Sequence, residues 1–323
     1  MTRYLIRRLL QVIPLLLFIS VLSFAIAEFS PGDPVMMYVH PDKKSPSAEE
    51  LQAIRHALGY DLPVYLRYFS WLRNIFSGNW GYSLKTHAPV ADEISARLPA
   101  TLLLGAAALF LTVVISIPIG VLSAVKRYTL FDYLATFGAF LGISIPIFWF
   151  AMIMIEVFSN RLGLVPSVGM QTLGGNLNGF EKVLDVGKHL ILPALALSIT
   201  SVGFWSRYQR STLLEVMNQD YIRTARGKGL RESIVLWRHA FRNSLIPMIT
   251  LFGLSLPDLV NGAFITESVF GWPGMGRLGI LAITSRDYPV VMAITMLSAL
   301  LVVVGNLIAD VLYAVVDPRI QQG

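Results

Sequence analysis

The stretch from Ala100 to Val125, ATLLLGAAALFLTVVISIPIGVLSAV, runs for 26 residues without a charged side chain. Hydrocarbon about 30 Å thick takes roughly 20 apolar residues of helix to cross, because at that depth every backbone N–H and C=O must be bonded inside the segment. The stretch therefore reads as a membrane span. Five more runs accompany it: Leu9 to Ala27, Tyr133 to Ile155, Leu190 to Ser206, Ser244 to Thr266 and Tyr288 to Val316. The last two hold one acid each, Asp258 and Asp310. Prolines at Pro14, Pro118, Pro146, Pro193 and Pro257 fall inside or near these runs. Kinks are expected there, with neighbouring helices re-satisfying the freed carbonyls. The expected fold class is all-α, an integral membrane protein with six transmembrane helices and an extracytoplasmic domain between the first and second.

Composition points the same way. Of 323 residues, 54% are hydrophobic and only 14% charged, where a soluble domain carries about 25% charged residues. The chain has no cysteine, which removes disulfides, thiolate metal sites, iron–sulfur clusters and cysteine nucleophiles together. Its five histidines show no pair at the spacing of a helical metal site, so no metal site is expected.

Orientation follows from the Lys and Arg in the loops. With the N-terminus inside, the inner segments 1–8, 126–132, 207–243 and 317–323 hold 14 Lys+Arg in 59 residues, against 12 in the 127 residues of the outer segments. Basic density is more than twofold higher inside, which places both termini in the cytoplasm of a multi-pass protein of the cell membrane. The net charge of +6 is then a topology signal, and no nucleic-acid partner is expected, since no basic stripe with interleaved aromatics lies in a soluble segment. Arg3, Arg7 and Arg8 before an apolar run ending in Ala25-Ile26-Ala27 also look like a secretory signal. Nineteen uncharged residues exceed the usual 7–15-residue core of such a signal, which favours a retained anchor.

The layout is a tail and first span over residues 1–29, an extracytoplasmic domain over 30–99, and a five-helix core over 100–323 with a long inner loop at 207–243. Within 30–99, Ser47 with Glu50 three residues on gives helix-start chemistry for Ser45 to Leu58, and Val64 to Leu72 continues as an aromatic-rich helix ending near Gly78. Such a segment could dock a partner, lie in the outer interface, or pack as a lid on its own helices.

The centre of the inner loop reads Asp220-Tyr221-Ile222-Arg223-Thr224-Ala225-Arg226-Gly227-Lys228-Gly229-Leu230. Asp220 reads as the N-cap of a short helix that Gly227 and Gly229 end, because glycine takes the left-handed cap conformation without a side-chain penalty. A second amphipathic stretch comes next, with Ile234, Trp237 or Arg238, and Phe241 at spacings of three and four. Short helices held rigidly beneath a bundle suit a cytoplasmic partner that pushes on them; an ordinary basic loop attracted to anionic lipid is the competing reading.

At this point the sequence resembles the permease subunits of peptide and nickel ABC importers, in particular the first of the two non-identical permeases of the dipeptide/oligopeptide group. The segment Asp220 to Leu230, with Arg238-His239-Ala240-Phe241-Arg242-Asn243 and Pro247, is similar to that group's coupling loop. Further matching pieces are Pro31-Gly32-Asp33-Pro34, Ile145-Pro146-Ile147-Phe148-Trp149, Phe270-Gly271-Trp272-Pro273-Gly274-Met275-Gly276-Arg277, Arg286-Asp287-Tyr288-Pro289-Val290-Val291 and Asp317-Pro318-Arg319. The resemblance implies a homologous second permease, two ATPase subunits on the inner loops, and an extracytoplasmic substrate-binding protein. The chain would form half of the translocation pathway for di- or oligopeptides, with nickel or another small solute as the alternative cargo. It implies ATPase coupling through Asp220, Tyr221, Arg223, Thr224, Ala225, Gly227 and Gly229. In the broader importer pattern a Glu-Ala-Ala triplet precedes the glycine by six residues. Here Arg223, Thr224 and Ala225 stand there with Gly229 as the glycine, so no particular salt bridge to the ATPase follows from the resemblance.

The chain lacks the phosphate-binding pattern Gly-x4-Gly-Lys-Ser/Thr, so no cofactor is expected on it, and ATP with Mg belongs on the partner ATPases. Gly274 to Gly279 matches Gly-x-Gly-x-x-Gly, but without the strand and helix of a dinucleotide site its glycines read as turn formers that let the loop pack closely. The chain is read as a transport subunit rather than an enzyme. An acid at the bilayer centre costs at least about 2.5–3.5 kcal/mol, so intramembrane acids are the default functional candidates. Asp258, with Ser255, Asn261, Gly262 and Thr266 on or near one helical face, is the candidate for lining a translocation path. The same small, polar face could instead let two helices approach, as in Gly138-x-x-x-Gly142. Asp310 with Asn306 reads as solvated or helix-packing, and Glu28 and Glu156 as facing water. The competing class is a secondary transporter driven by an ion gradient, for which Asp258 is a single candidate without a counterpart.

Overall fold

The structure is a computed structural model that describes residues 2–30, 47–57, 59–174, 178–257 and 264–316. The described residues are helical, apart from loops and one isolated antiparallel bridge between Tyr82 and Pro89. The helices are α1 (Thr2–Glu28), α2 (Ala48–Ala57), α3 (Val64–Phe76), α4 (Val90–Val125), α5 (Leu130–Ser144), α6 (Ile147–Met154), α7 (Phe180–Met217), α8 (Asp220–Gly227), α9 (Glu232–Ile234), α10 (Arg242–Ser255), α11 (Phe264–Val269), α12 (Met275–Thr284) and α13 (Tyr288–Val316). Wider π-helical turns extend α6 over Ile155–Arg161 and join α9 to α10 over Val235–Phe241.

Among the described residues four helices are long and apolar enough to cross a membrane: α1 over Leu10–Glu28, α4, α7, and α13 over Tyr288–Asp310. The third apolar run is not one straight span. It breaks into α5 and α6 with a bend of 107°, and the pair makes a fifth crossing when counted together. Pro146 causes the break. It has no N–H to give the helix and pushes the residue before it out of the α region, so Ile145 is extended at φ −79°, ψ 128°. Gly142, four residues back, would have received that N–H, and its carbonyl accepts the Thr200 hydroxyl of α7 instead, at 3.3 Å. The fourth run is far longer than its apolar core, since α7 continues ten residues before Leu190 and eleven beyond Ser206. The fifth run starts as α10, and residues 258–263 of it lie outside the described residues, as do Pro31 to Pro34 and Asp317 to Arg319.

The chain divides into two compact units. The first holds Pro99–Arg277 with Val302–Gly323, and α7 is its hub, with α5, α6, α10 and α11 packed on it. Helices in lipid gain little from burying apolar surface against one another, so they pack through small residues that admit a close backbone approach. A Cβ on Gly203 of α7 would sit 2.6 Å from the Ala139 carbonyl oxygen, and one on Gly120 of α4 would sit 2.6 Å from that of Ser206. Gly142 faces the Ile199 carbonyl oxygen, 3.1 Å from its own would-be Cβ, whereas Gly138 faces open space. Only half of the expected Gly138-x-x-x-Gly142 contact is used. Near these contacts the Arg210 guanidinium forks onto Asp132, Nε to Oδ1 and Nη2 to Oδ2 at 2.7 Å each, and the backbone N–H of Tyr128 donates to the same carboxylate. The Asp132 side chain is 3% exposed, so its charge depends on that fork.

The second unit holds Thr2–Leu98 with Leu278–Leu301. Here α3 packs on α1: Tyr68 and Trp71 lie 5.5 and 5.7 Å from the Phe24 ring, and Ser20 Oγ is 2.8 Å from the Tyr68 hydroxyl. Glu28 does not face water as the sequence suggests. It is paired with Arg67 of α3, and both side chains are only 16% exposed, because α3 lies along the last turns of α1. Glu156 is half-exposed beside Arg161, as expected. Ser47 precedes α2, and its carbonyl accepts the Leu51 N–H. Gly78, at φ +82°, closes α3. Asp287, 3% exposed, accepts the Ser83 hydroxyl and the Leu84 N–H, which pins the loop before α4 to the start of α13.

Gly203→Val is expected to lower stability by about 1–3 kcal/mol, because the added side chain has no room against the Ala139 carbonyl. Gly138→Ala should leave stability unchanged or slightly raised. Thermal unfolding in detergent separates them, and equal midpoints would mean the α5–α7 contact is not held.

Candidate partner-docking site

The inner-loop motif folds as α8, a two-turn helix seated on the first unit. Gln219, extended at φ −73° and ψ 150°, is the N-cap, and Asp220 is the first helical residue rather than the cap. In that position its carboxylate complements the positive end of the helix dipole. Asp220 is 95% exposed and lies 3.3 Å from Arg223, and the Thr224 hydroxyl donates to its carbonyl. At the other end Gly227 is the last helical residue and only Gly229 is left-handed, at φ +75°. The Gly229 N–H reaches the Arg226 carbonyl at 2.9 Å and the Leu230 N–H reaches that of Ala225 at 3.4 Å. These two bonds form the Schellman termination, which a left-handed residue makes possible.

One face of α8 is buried. Ile222 and Ala225, three residues apart, pack with Val121 and Ala124 of α4, Leu213 of α7, and Val235 and Ala240. Full burial of Ile222 alone is worth about 1.5–3 kcal/mol. Ala225 is thus a seating residue, turned away from any partner, while Tyr221, Arg223, Thr224, Arg226, Gly227 and Gly229 are exposed. Arg226 reaches across to Glu232 at 2.6 Å and holds that carboxyl below the usual range, tying the end of α8 to the start of α9. The next stretch departs from the expected spacing of three and four. Its buried residues are Val235 and Ala240, five apart, because the segment is π-helical and bonds to the fifth residue instead of the fourth. Trp237 is left 56% exposed, with its ring edge-on to Phe241 at 5.2 Å.

Of the path-lining candidates, Ser255 ends α10 and is half-buried. Gly253, two residues earlier, meets Ala309 of α13 with only 3.3 Å for a Cβ, and one on Gly305 would be 3.0 Å from the Pro257 nitrogen. Asp258, Asn261 and Gly262 lie outside the described residues.

A second polar centre in the same unit surrounds Glu267, which sequence reasoning missed. Glu267 is fully buried in α11. Its Oε1 accepts the Thr101 hydroxyl at 2.8 Å and its Oε2 the Arg277 N–H at 3.0 Å, while Thr101 Oγ1 accepts the Met275 N–H. Burial pushes the Glu267 carboxyl up, against hydrogen bonds from Arg277, Thr101 and Gly276 that favour its ionised form. A Cβ on Gly274 would fall inside this carboxyl group, and one on Gly276 would lie 2.8 Å from the Phe264 Cα. The glycines expected to let this loop pack closely do so around an acid. Trp272, also fully buried, donates its indole N–H to the Ala100 carbonyl at 2.8 Å. An acid seven residues ahead of a Gly-x-Gly pair is the sequence signal for the cage.

Long apolar helices and an exposed, glycine-capped helix seated on the bundle have the build of a membrane transport subunit. The chain belongs to the family described as the inner membrane component of binding-protein-dependent transport systems, whose model matches residues 116–322, and the N-terminal model of the same kind of component matches residues 1–105. Its relatives include the oligopeptide transport system permease protein AppB of Bacillus subtilis, 48% identical over 99% of this chain and 100% of that one. The dipeptide transport system permease protein DppB of Escherichia coli K12 is 39% identical over 99% of both chains. Among solved structures, an inward-facing MetNI methionine ABC transporter aligns over 68% of this chain and 95% of that one, with 18% identity and a TM-score of 0.48. Family membership favours a permease subunit of an ABC importer over a secondary transporter.

Gly274→Ala is expected to destabilise the protein by about 1–3 kcal/mol, because a buried carboxyl held by three donors has nowhere to move. A melting temperature equal to that of the parent would show that the Glu267 cage is loose.

Proposed function

We propose that this chain is one of two homologous permeases in a peptide importer, forming half of the path for di- or oligopeptides by alternating access. The observation that carries this reading is α8 itself: a helix anchored by Ile222 and Ala225, closed by a left-handed Gly229, and presenting Tyr221, Arg223 and Thr224 outward. The relatives whose names specify oligopeptide and dipeptide transport support the cargo. In this reading two ATPase subunits, carrying ATP and Mg, dock on α8, and an extracytoplasmic binding protein delivers peptide to residues 30–99 and the other outer segments. ATP-driven closure of the ATPases pushes α8. Because α8 is packed against the ends of α4 and α7, the push moves those helices rather than bending a loop. The chain itself catalyses no reaction. Six spans, a cytoplasmic N-terminus and a path lined by Ser255, Asp258, Asn261 and Gly262 complete the proposal, motivated by the Lys+Arg density and the polar face around Asp258.

Single cysteines at Ser45 and Ser233 in this cysteine-free chain should react with an impermeant reagent from opposite faces of the membrane. Reaction of both from one side would overturn the orientation. Gly229→Val, which strains a left-handed position by about 1–3 kcal/mol, should leave membrane insertion intact while ATPase copurification or substrate-stimulated ATP hydrolysis falls. Normal transport in that variant would mean that the stroke enters elsewhere.

A further inference from the structure

Apart from α8 and the Glu267 cage, the first unit carries a cavity in the cleft between α5 and α7. Its volume is about 420 Å³, and Arg207, Arg210 and the hydroxyl-bearing Thr136, Tyr208 and Ser211 line it. Phe140 and Phe204 form its aromatic walls. The two arginines are not equivalent. Asp132 occupies Nε and Nη2 of Arg210 and neutralises it, leaving only its Nη1 outside the fork. Arg207 has no carboxylate partner among the described residues; its guanidinium lies 4.1 Å over the Phe140 ring. An aromatic face is a weak counterion, but it fixes a guanidinium in place while leaving its N–H edges free. The site therefore holds two cations and one anion and is one positive charge in excess.

The surroundings say what fills it. The aromatic walls are themselves open, with Phe140 49% and Phe204 51% accessible, and Tyr133, 62% accessible, lies on the same face of α5 as Thr136 and Phe140. On a membrane protein such an aromatic surface suits acyl chains. The cavity is thus a cup of single positive excess with exposed aromatic walls, and its charged lining on α7 begins at Arg207, where the apolar run ends at Ser206. A solute ion would need only the cup. A molecule with one phosphodiester charge and hydrocarbon tails uses both surfaces, as basic pockets between transmembrane helices do.

We propose that the α5–α7 cleft is a binding site for an anionic phospholipid, with Arg207 and the Arg210 Nη1 edge on the phosphate, hydroxyls of Tyr208, Ser211 and Thr136 on the headgroup, and acyl chains along Phe140 and Phe204. Arg207 confers the selectivity for a net negative headgroup. The inner leaflet is implied only through the orientation proposed above; lipid selectivity does not depend on that orientation or on the peptide-importer reading.

The test uses the purified full chain in detergent, with lipid adducts counted by native mass spectrometry. Phosphatidylglycerol should bind more tightly than phosphatidylcholine. Arg207→Gln should weaken phosphatidylglycerol by about tenfold, the weight of one hydrogen bond to a charged group, and abolish the preference. Arg207→Lys should retain part of it. Ser211→Trp, which fills the cup and leaves every charge in place, should also lower phosphatidylglycerol binding. Arg207 and Ser211 are both exposed, so these variants are expected to fold, and an unchanged melting temperature checks it. Equal binding of the two lipids by the parent, or unchanged phosphatidylglycerol binding in both Arg207→Gln and Ser211→Trp, would overturn the site. Displacement of the lipid by inorganic phosphate alone at comparable concentration would overturn a lipid as its occupant.

Discussion

Helix α7 is held by backbones that touch. Where Gly203 meets the Ala139 carbonyl and Gly120 meets the Ser206 carbonyl, no side chain separates the helices, and dispersion between closely packed backbones replaces the hydrophobic drive that lipid removes. Other contacts of the same helix depend on that approach. The Asp132–Arg210 fork sits one to two turns further along α7 than Gly203 and needs α5 at this distance to close. The Gly142 carbonyl, freed by Pro146, reaches Thr200 only because the two helices are this near. A proline break that would leave a bare carbonyl in hydrocarbon becomes tolerable through its neighbour.

The same helix links two centres of the first unit. Its 38 residues rise about 57 Å at 1.5 Å per residue. Toward its start, Leu192 and Ala196 pack with Phe270, and Ala194 packs with Trp272, in the loop that closes over Glu267. Toward its end, Leu213 packs with Ile222 and Ala225 of α8. One continuous helix, short of a backbone hydrogen bond at Pro193, therefore carries a loop with a buried acid near one end and the exposed helix α8 near the other. Between Pro193 and Met217, where the ladder has no proline, bending would stretch many backbone bonds at once, so displacement at the α8 end is carried along that part of the helix.

Much of this was legible from residue types. Apolar runs show the spans because lipid allows few alternatives to a helix, and glycine at position 229 announces a left-handed cap because few other residues tolerate one. The bend at Pro146 was foreseeable in place but not in size, since the angle depends on what α5 and α6 pack against. Reading Asp220 as a cap failed because Asp suits both the cap and the first turn, and the extended backbone that decides between them sits at Gln219. Glu28 was misread because a sequence does not show α3 folding back along α1 to bring Arg67 beside it. Glu267 escaped notice for a similar reason. Its partners, Thr101 and the 274–277 loop, are far away along the chain or lie across a turn, and only the folded arrangement brings donors to it.

The π-helical turn at Val235–Phe241 also has a consequence for how this segment reads as a periodic pattern. A helix is a wave of about 100° per residue, and a wide turn inserts one residue without advancing the axis by a full step. It is a phase slip, much like a dislocation in a crystal row. The apolar stripe that seats Val235 and Ala240 beside α8 is therefore out of phase with the stripe that α10 presents to α7 and α13. Each half of the segment can match its own neighbours only because the slip lies between them. Loss of one residue within 235–241 would erase the defect and keep every helix, yet it would turn one half by about 100° against the other, so that the segment could match α8 or the bundle but not both.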